Sequence, residues 1–161
     1  MSVITSALRR SLVVVLGTIL FTGLLGGLPT EDSGQHAEAA TSRTTESQRL
    51  RAMKIALAQR GDPYRYGAAG PNAFDCSGLT SFSYARAGRS IPRTTDQQKA
   101  GLRAVSKSAK RKGDIILFVK NGNAYHAGVF IGNNRIVHSS RSGTPVKIDP
   151  IWTSSYVVRR P

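Results

Sequence analysis

The chain has 161 residues, with 23 Lys and Arg against 9 Asp and Glu, for a net charge of +14. That length holds one ordinary domain with appendages but not two. A single cysteine excludes an intramolecular disulfide framework and any zinc site built on several thiolates, and three histidines cap the supply of imidazole bases.

Arg9 and Arg10 open the chain with positive charge, Leu12 to Leu28 is uncharged and almost wholly apolar, and a polar stretch leads to Ala37-Glu38-Ala39. This order predicts a signal peptide over residues 1–39, cut after Ala39. An uncut membrane anchor is the alternative, but Gly17, Gly23, Gly26, Gly27 and Pro29 make the run a poor spanning helix. The arginine pair would also suit a twin-arginine signal; the general secretory route is the expected one. The expected location is therefore outside a bacterial cell, secreted or on its wall. Removing the leader leaves 21 basic and 6 acidic side chains, a net of +15. Such a domain is drawn to polyanions: teichoic acids, peptidoglycan carboxylates or anionic lipid headgroups. Nucleic acid has the same electrostatic footprint, but no reader motif accompanies it, and no nucleic-acid partner is expected.

Residues 40–46 read as a Ser/Thr-rich linker before one domain over 47–161. Apolar residues at helical spacing predict a first helix from Ser47 to Arg60, with Gly61 beyond its end. Residues 64–74, rich in Gly and Pro, read as irregular. Asp75 is a good N-cap for a second helix running to Ala87 before Gly88, and Gln97 to Leu102 reads as a third, short one. The period then becomes extended. Strands are predicted over 114–120, 124–131 and 135–140, with shorter ones at 146–148 and 156–159. Gly132-Asn133-Asn134 between the second and third is a hairpin signal. Helices followed by strands indicate α+β with an antiparallel sheet. The basic run Lys107, Lys110, Arg111, Lys112 reads as a solvated loop.

Cys76 opens the second predicted helix. Free backbone N–H groups and the helix dipole favour a thiolate there, and pKa values at such ends fall to roughly 3.5–7.5. Ser77 and Gly78 are small, leaving room for another chain segment. The bland reading is an inert buried thiol, but an unpaired cysteine in an exported protein argues for use. After cleavage only His126 and His138 remain, on the predicted hairpin. Their numbers sum to an even value, so they share a face when the loop holds an odd number of residues. A three-residue loop, Gly132-Asn133-Asn134, is favoured and sets His138 opposite Gly128; a two-residue loop would separate the rings unless a bulge intervened. One Cys with two His also suggests a metal site, but no fourth ligand is placed for it, and neither metal nor organic cofactor is expected.

These residues resemble the NlpC/P60 family of cell-wall cysteine peptidases. The likeness rests on Pro63-Tyr64-Arg65-Tyr66-Gly67, Phe74-Asp75-Cys76-Ser77-Gly78-Leu79, Ile91-Pro92-Arg93-Thr94-Thr95, Gly113 to Phe118, His126 to Gly132 and Ile136-Val137-His138. Gly67-Ala68 stands where a double glycine is usual, and Lys112 where a proline is. The resemblance implies a papain-like fold with the Cys-bearing helix packed on an antiparallel sheet. It also implies hydrolysis of peptidoglycan stem peptides, most often between D-γ-glutamate and the following diamino acid. By position, it makes Cys76 the nucleophile, His126 the base and His138 the residue orienting the base. Tyr64 would complete an oxyanion hole with the Cys76 N–H, and Asp75 and Ser77 would contact the stem. A CHAP-type amidase is a rival reading, disfavoured because its third position is usually acidic or an amide. A non-catalytic wall-binding module on the same scaffold is another, disfavoured by the intact Cys76, His126 and His138. A monomer without a separate wall-binding module is expected.

Overall fold

The computed structural model describes residues 44–161; the predicted leader and most of the predicted linker lie outside the described residues. Three helices come first: α1 (Glu46–Ala58), α2 (Cys76–Arg86) and α3 (Thr95–Gly101). Thr45 and Thr94 each form a capping box with the glutamine three residues on, which satisfies N–H groups that a helix start leaves free. Helix α1 therefore begins at Glu46, and Thr44 N–H donates to the carbonyl of Pro161, joining the two ends of the described chain.

Six strands follow: β1 (Arg103–Val105), β2 (Ile115–Lys120), β3 (Asn123–Gly132), β4 (Arg135–His138), β5 (Lys147–Pro150) and β6 (Tyr156–Arg160). They form one sheet in the order β1-β6-β2-β3-β4-β5, each neighbour antiparallel. The period-2 alternation of β2 and β3 sorts side chains between two faces. On one, Ile115, Leu117, Ala127 and Val129 pack with Ala52 and Ala56 of α1 and Leu79 and Tyr84 of α2. On the other, Ile116, Phe118, Phe130, Ile136, Tyr156 and Val158 form a second core. This is the expected α+β arrangement, with the Cys-bearing helix against the sheet. Strand β1 was not anticipated: Arg103-Ala104-Val105 carries no extended pattern and is a strand because β6 pairs with it. The basic run contains a 3-10 turn at Lys107–Ala109, whose three residues are all exposed.

Candidate active site

The site begins at the tip of α2. Asp75 is the N-cap, its carboxylate accepting from Gly78 N–H at 2.6 Å, and Cys76 is the first helical residue, where helix geometry leaves its own N–H with no intrahelical acceptor. The Gly/Pro-rich segment folds over this tip. Arg65 N–H donates to the Phe74 carbonyl, Phe74 N–H to Pro63, and Asp75 N–H to Ala68. Gly78 is small for this reason: a Cβ there would sit 2.0 Å from the Ala68 carbonyl oxygen. The chain segment it admits is thus the protein's own loop.

A cleft of about 460 Å³ opens beside the sulfur, lined by Tyr64, Asp75, Cys76, Ser77, Arg93 and Tyr125 among others. Asp75 and Ser77 are tied to a residue that the sequence reading left without a role. Arg93 donates to both Asp75 oxygens, at 3.0 and 2.6 Å, and to Ser77 Oγ at 3.0 Å. Burial works to raise the Asp75 pKa, but the Arg93 guanidinium and the N–H groups of Gly78 and Gly67 outweigh it and hold the carboxyl below its usual range. Arg93 stays 37 % exposed, so the wall of the cleft presents a guanidinium already engaged by a carboxylate. The signal was available in the quoted Ile91-Pro92-Arg93-Thr94-Thr95 block, but only the fold brings it to Asp75.

The Cys76 thiol departs from expectation. Burial pushes it above its ordinary range, aided by the Asp75 charge, while the N–H groups of Ala127, Ser77 and Cys76 itself act in the opposite direction. The helix-end donors do favour the thiolate, but the sulfur also packs against the Ala52–Tyr84–Leu117 core, and the adjacent capping carboxylate opposes a second anion. The Ala127 N–H that favours the thiolate belongs to the residue after His126, so the sulfur lies alongside that part of β3. Tyr64 borders the same cleft; burial, then the Cys76 and Asp75 charges, raise its hydroxyl pKa.

Strand β3 carries a bulge here. Phe118 pairs with His126 and Val119 with Ala124, leaving Tyr125 as the extra residue, 53 % exposed and turned into the cleft. The hairpin differs from the favoured loop. Gly132 pairs with Arg135, so the turn has two residues, Asn133 and Asn134, both at positive φ as a type I′ turn requires. A second bulge between Phe130 and Gly132 absorbs one residue. Beyond it the register, Phe130 with Ile136 and Val129 with Val137, sets His138 opposite Gly128. The rings therefore share a face by way of a short turn plus a bulge. Gly128 leaves the space His138 leans across: a Cβ there would meet the His138 Cβ at 3.2 Å and the Ile136 Cδ1 at 2.7 Å.

His126 Nε2 and His138 Nδ1 are 2.7 Å apart, and His138 Nε2 lies 3.0 Å from Asp149 Oδ2. Asp149, which the sequence reading did not single out, sits on β5, where Lys147 pairs with His138 in register and its ammonium lies 2.9 Å from the same carboxylate oxygen. Burial works to raise the Asp149 pKa, but the hydrogen bonds and charges of Lys147 and His138 together outweigh it and hold the carboxyl below its usual range. An ionised carboxylate only accepts, so His138 Nε2 carries a proton. Burial keeps His138 neutral by lowering its pKa, partly offset by Asp149, so its Nδ1 is bare and must accept from His126 Nε2–H. Burial, with His138 adding to it, pushes His126 down to about 3, so His126 too is neutral. Its remaining nitrogen, Nδ1, holds a free lone pair. One carboxylate thus sets the tautomers of two rings in series. Trp152 screens the pair, its ring centroid 5.6 and 5.5 Å from those of His126 and His138 and stacked on Phe118 at 3.9 Å. Among the described residues, no group of three or more His, Cys, Asp or Glu is arranged to hold a metal ion.

The model of the NlpC/P60 family matches residues 61–159. The chain belongs to that family. The chain is similar to a probable endopeptidase of Corynebacterium glutamicum, 41% identical over 110 residues, which are 68% of this chain and 50% of that protein. It is also similar to a probable endopeptidase of Mycobacterium bovis, 36% identical over 137 residues, 84% of this chain and 34% of the other. The chain thus spans half or less of these relatives. Among solved structures, NlpC1 from Trichomonas vaginalis superposes with a TM-score of 0.64 at 29% identity, covering 73% of this chain and 45% of that one. The P60 domain of an antigen from M. avium subspecies paratuberculosis superposes with the same score at 26% identity, covering 70% of this chain and 93% of that domain. The NlpC/P60 fold read from the motifs is the fold observed.

Proposed function

We propose that this protein is a cysteine endopeptidase of bacterial peptidoglycan, cutting the stem peptide between D-γ-glutamate and the diaminopimelate or lysine that follows. The observation that carries this reading is the Asp149–His138–His126 chain ending on the strand against which the Cys76 sulfur packs. In the resting site thiol and imidazole are both neutral. As the sulfur attacks the scissile carbonyl, its proton passes to His126 Nδ1, and the imidazolium keeps its Nε2–H on His138. The Cys76 N–H and the Tyr64 hydroxyl receive the developing oxyanion; losing one such donor typically costs about 10²–10³ in rate. The C–N bond breaks as His126 returns the proton to the leaving amine, and water then releases the acyl group from sulfur. The stem's acyl half lies in the cleft between Tyr64 and Arg93, with Asp75 and Ser77 in its wall. The protein acts outside the cell after export, and its high positive charge adsorbs it to anionic wall polymer.

Defined muropeptides incubated with wild type and Cys76→Ser, with products read by mass spectrometry, test this. Wild type should release a fragment with a new amine on the diamino acid, and Cys76→Ser should bind wall fragments without cutting them. Cleavage retained in the variant, or no cleavage by wild type, defeats the assignment.

A further inference from the structure

A second depression, about 500 Å³, is lined by Val119, Lys120, Tyr125, Thr153, Ser155 and Trp152, whose ring lies beside the histidine pair. Tyr125 lines both this groove and the Cys76 cleft, so the two adjoin at its side chain. Trp152 forms its wall next to the His126 ring. Two large aromatic surfaces are left open, Tyr125 at 53 % and Trp152 at 47 % exposure, although the face beneath them is a packed core. Lys120, exposed at the end of β2, is the one charged side chain in the lining.

Proton delivery decides which half of a substrate lies here. The base that takes the thiol proton must return it to the departing nitrogen, so the leaving amine sits on the His126 side of the sulfur. The Tyr64–Arg93 cleft is on the helix-tip side and the Trp152 groove on the histidine side. We propose that the groove is the leaving-group subsite, taking the amino-acid residue whose amine is released, with its aliphatic part over Trp152 and Tyr125 and its free carboxylate on Lys120. This rests on the peptidase reading and adds a requirement that reading does not contain: a carboxylate beyond the scissile bond improves turnover.

Two synthetic stem peptides with the same acyl half, ending in the leaving residue as a free carboxylate or as its primary amide, test the assignment. For wild type, kcat/KM should favour the carboxylate by about three- to tenfold, the range for a partly solvated charge-assisted contact. Lys120→Gln should bring the ratio to about one, Lys120→Glu should invert it, and Lys120→Arg should keep it. Equal turnover of the two peptides by wild type, or an unchanged ratio in Lys120→Gln and Lys120→Glu, overturns the subsite while leaving the peptidase intact. No turnover of either peptide by wild type is instead the failure of the peptidase reading.

Discussion

Two aspartates in this molecule are each gripped by an arginine through both oxygens, and their surroundings give them different work. Asp114 is completely buried at the start of β2: Arg160 donates to both oxygens at 2.6 Å, Arg111 N–H adds a third bond at 2.7 Å, and the guanidinium of Arg49 is 3.9 Å away. It joins α1, the loop before β2 and the last strand, and Tyr84 closes the same region by donating to the Gly113 carbonyl. Asp75 has a similar set of partners, but its arginine faces open space and the residue after it is Cys76. The same ion-pair chemistry therefore holds the fold together in one place and shapes a cleft wall in the other. Exposure of the arginine, 13 % for Arg160 and 37 % for Arg93, separates them.

Neutralising each carboxylate should expose that difference. Asp114→Asn leaves Arg160 and Arg49 uncompensated in a buried place, and a loss of about 3–5 kcal/mol is expected in urea unfolding. A loss under about 1 kcal/mol would show that the cluster is not what joins these elements. Asp149 is the most exposed of the three carboxylates, its side chain 31 % exposed against 0 % for Asp114 and 10 % for Asp75. Asn at that position can donate to His138 Nε2, which reverses the tautomers in series and turns a proton, not a lone pair, toward Cys76. A fall in kcat of about ten- to a hundredfold is expected, less than for a triad carboxylate touching the base directly. The pH profile separates this from a structural defect. With His126 pushed down to about 3, the acid limb of kcat/KM in wild type should lie below the ordinary histidine value of about 6.5. The Asp149 anion favours protonation of the linked rings, so removing it should shift that limb to still lower pH; an unmoved limb would exclude coupling. The smallest effect on stability belongs to Asp75→Asn. Asparagine still caps α2 and the Arg93 pair is partly solvated, so a loss of about 1 kcal/mol or less is expected, with kcat/KM falling about tenfold as Arg93 is released. A stability loss matching that of Asp114→Asn would erase the distinction.

Much of the site was legible because it is local. Asp75 before Cys76 announces a helix start, and Gly132-Asn133-Asn134 announces a hairpin, since each rests on chemistry within a few residues. The exact loop was not legible. Parity correctly required an odd residue between the histidines, but a bulge at Ile131 supplied it instead of the turn, and bulges depend on how strands twist against each other. Arg93 and Asp149 escaped for a related reason: Arg93 lies in a quoted motif block and Asp149 in none, but each matters only through a partner 18 or 11 residues away.

Sequence alone placed the three helices to within two residues at each end, and determined the alternation of the central strands and which single thiol and two imidazoles were available, because propensity, capping and periodicity act over short range. Tertiary structure decided the protonation of those groups. Packing against the core raised the thiol and lowered both imidazoles, and β5, paired to β4, brought the carboxylate that orders their protons. Burial and charge proximity are sums over everything nearby, and the chain's linear order does not contain them until it has folded.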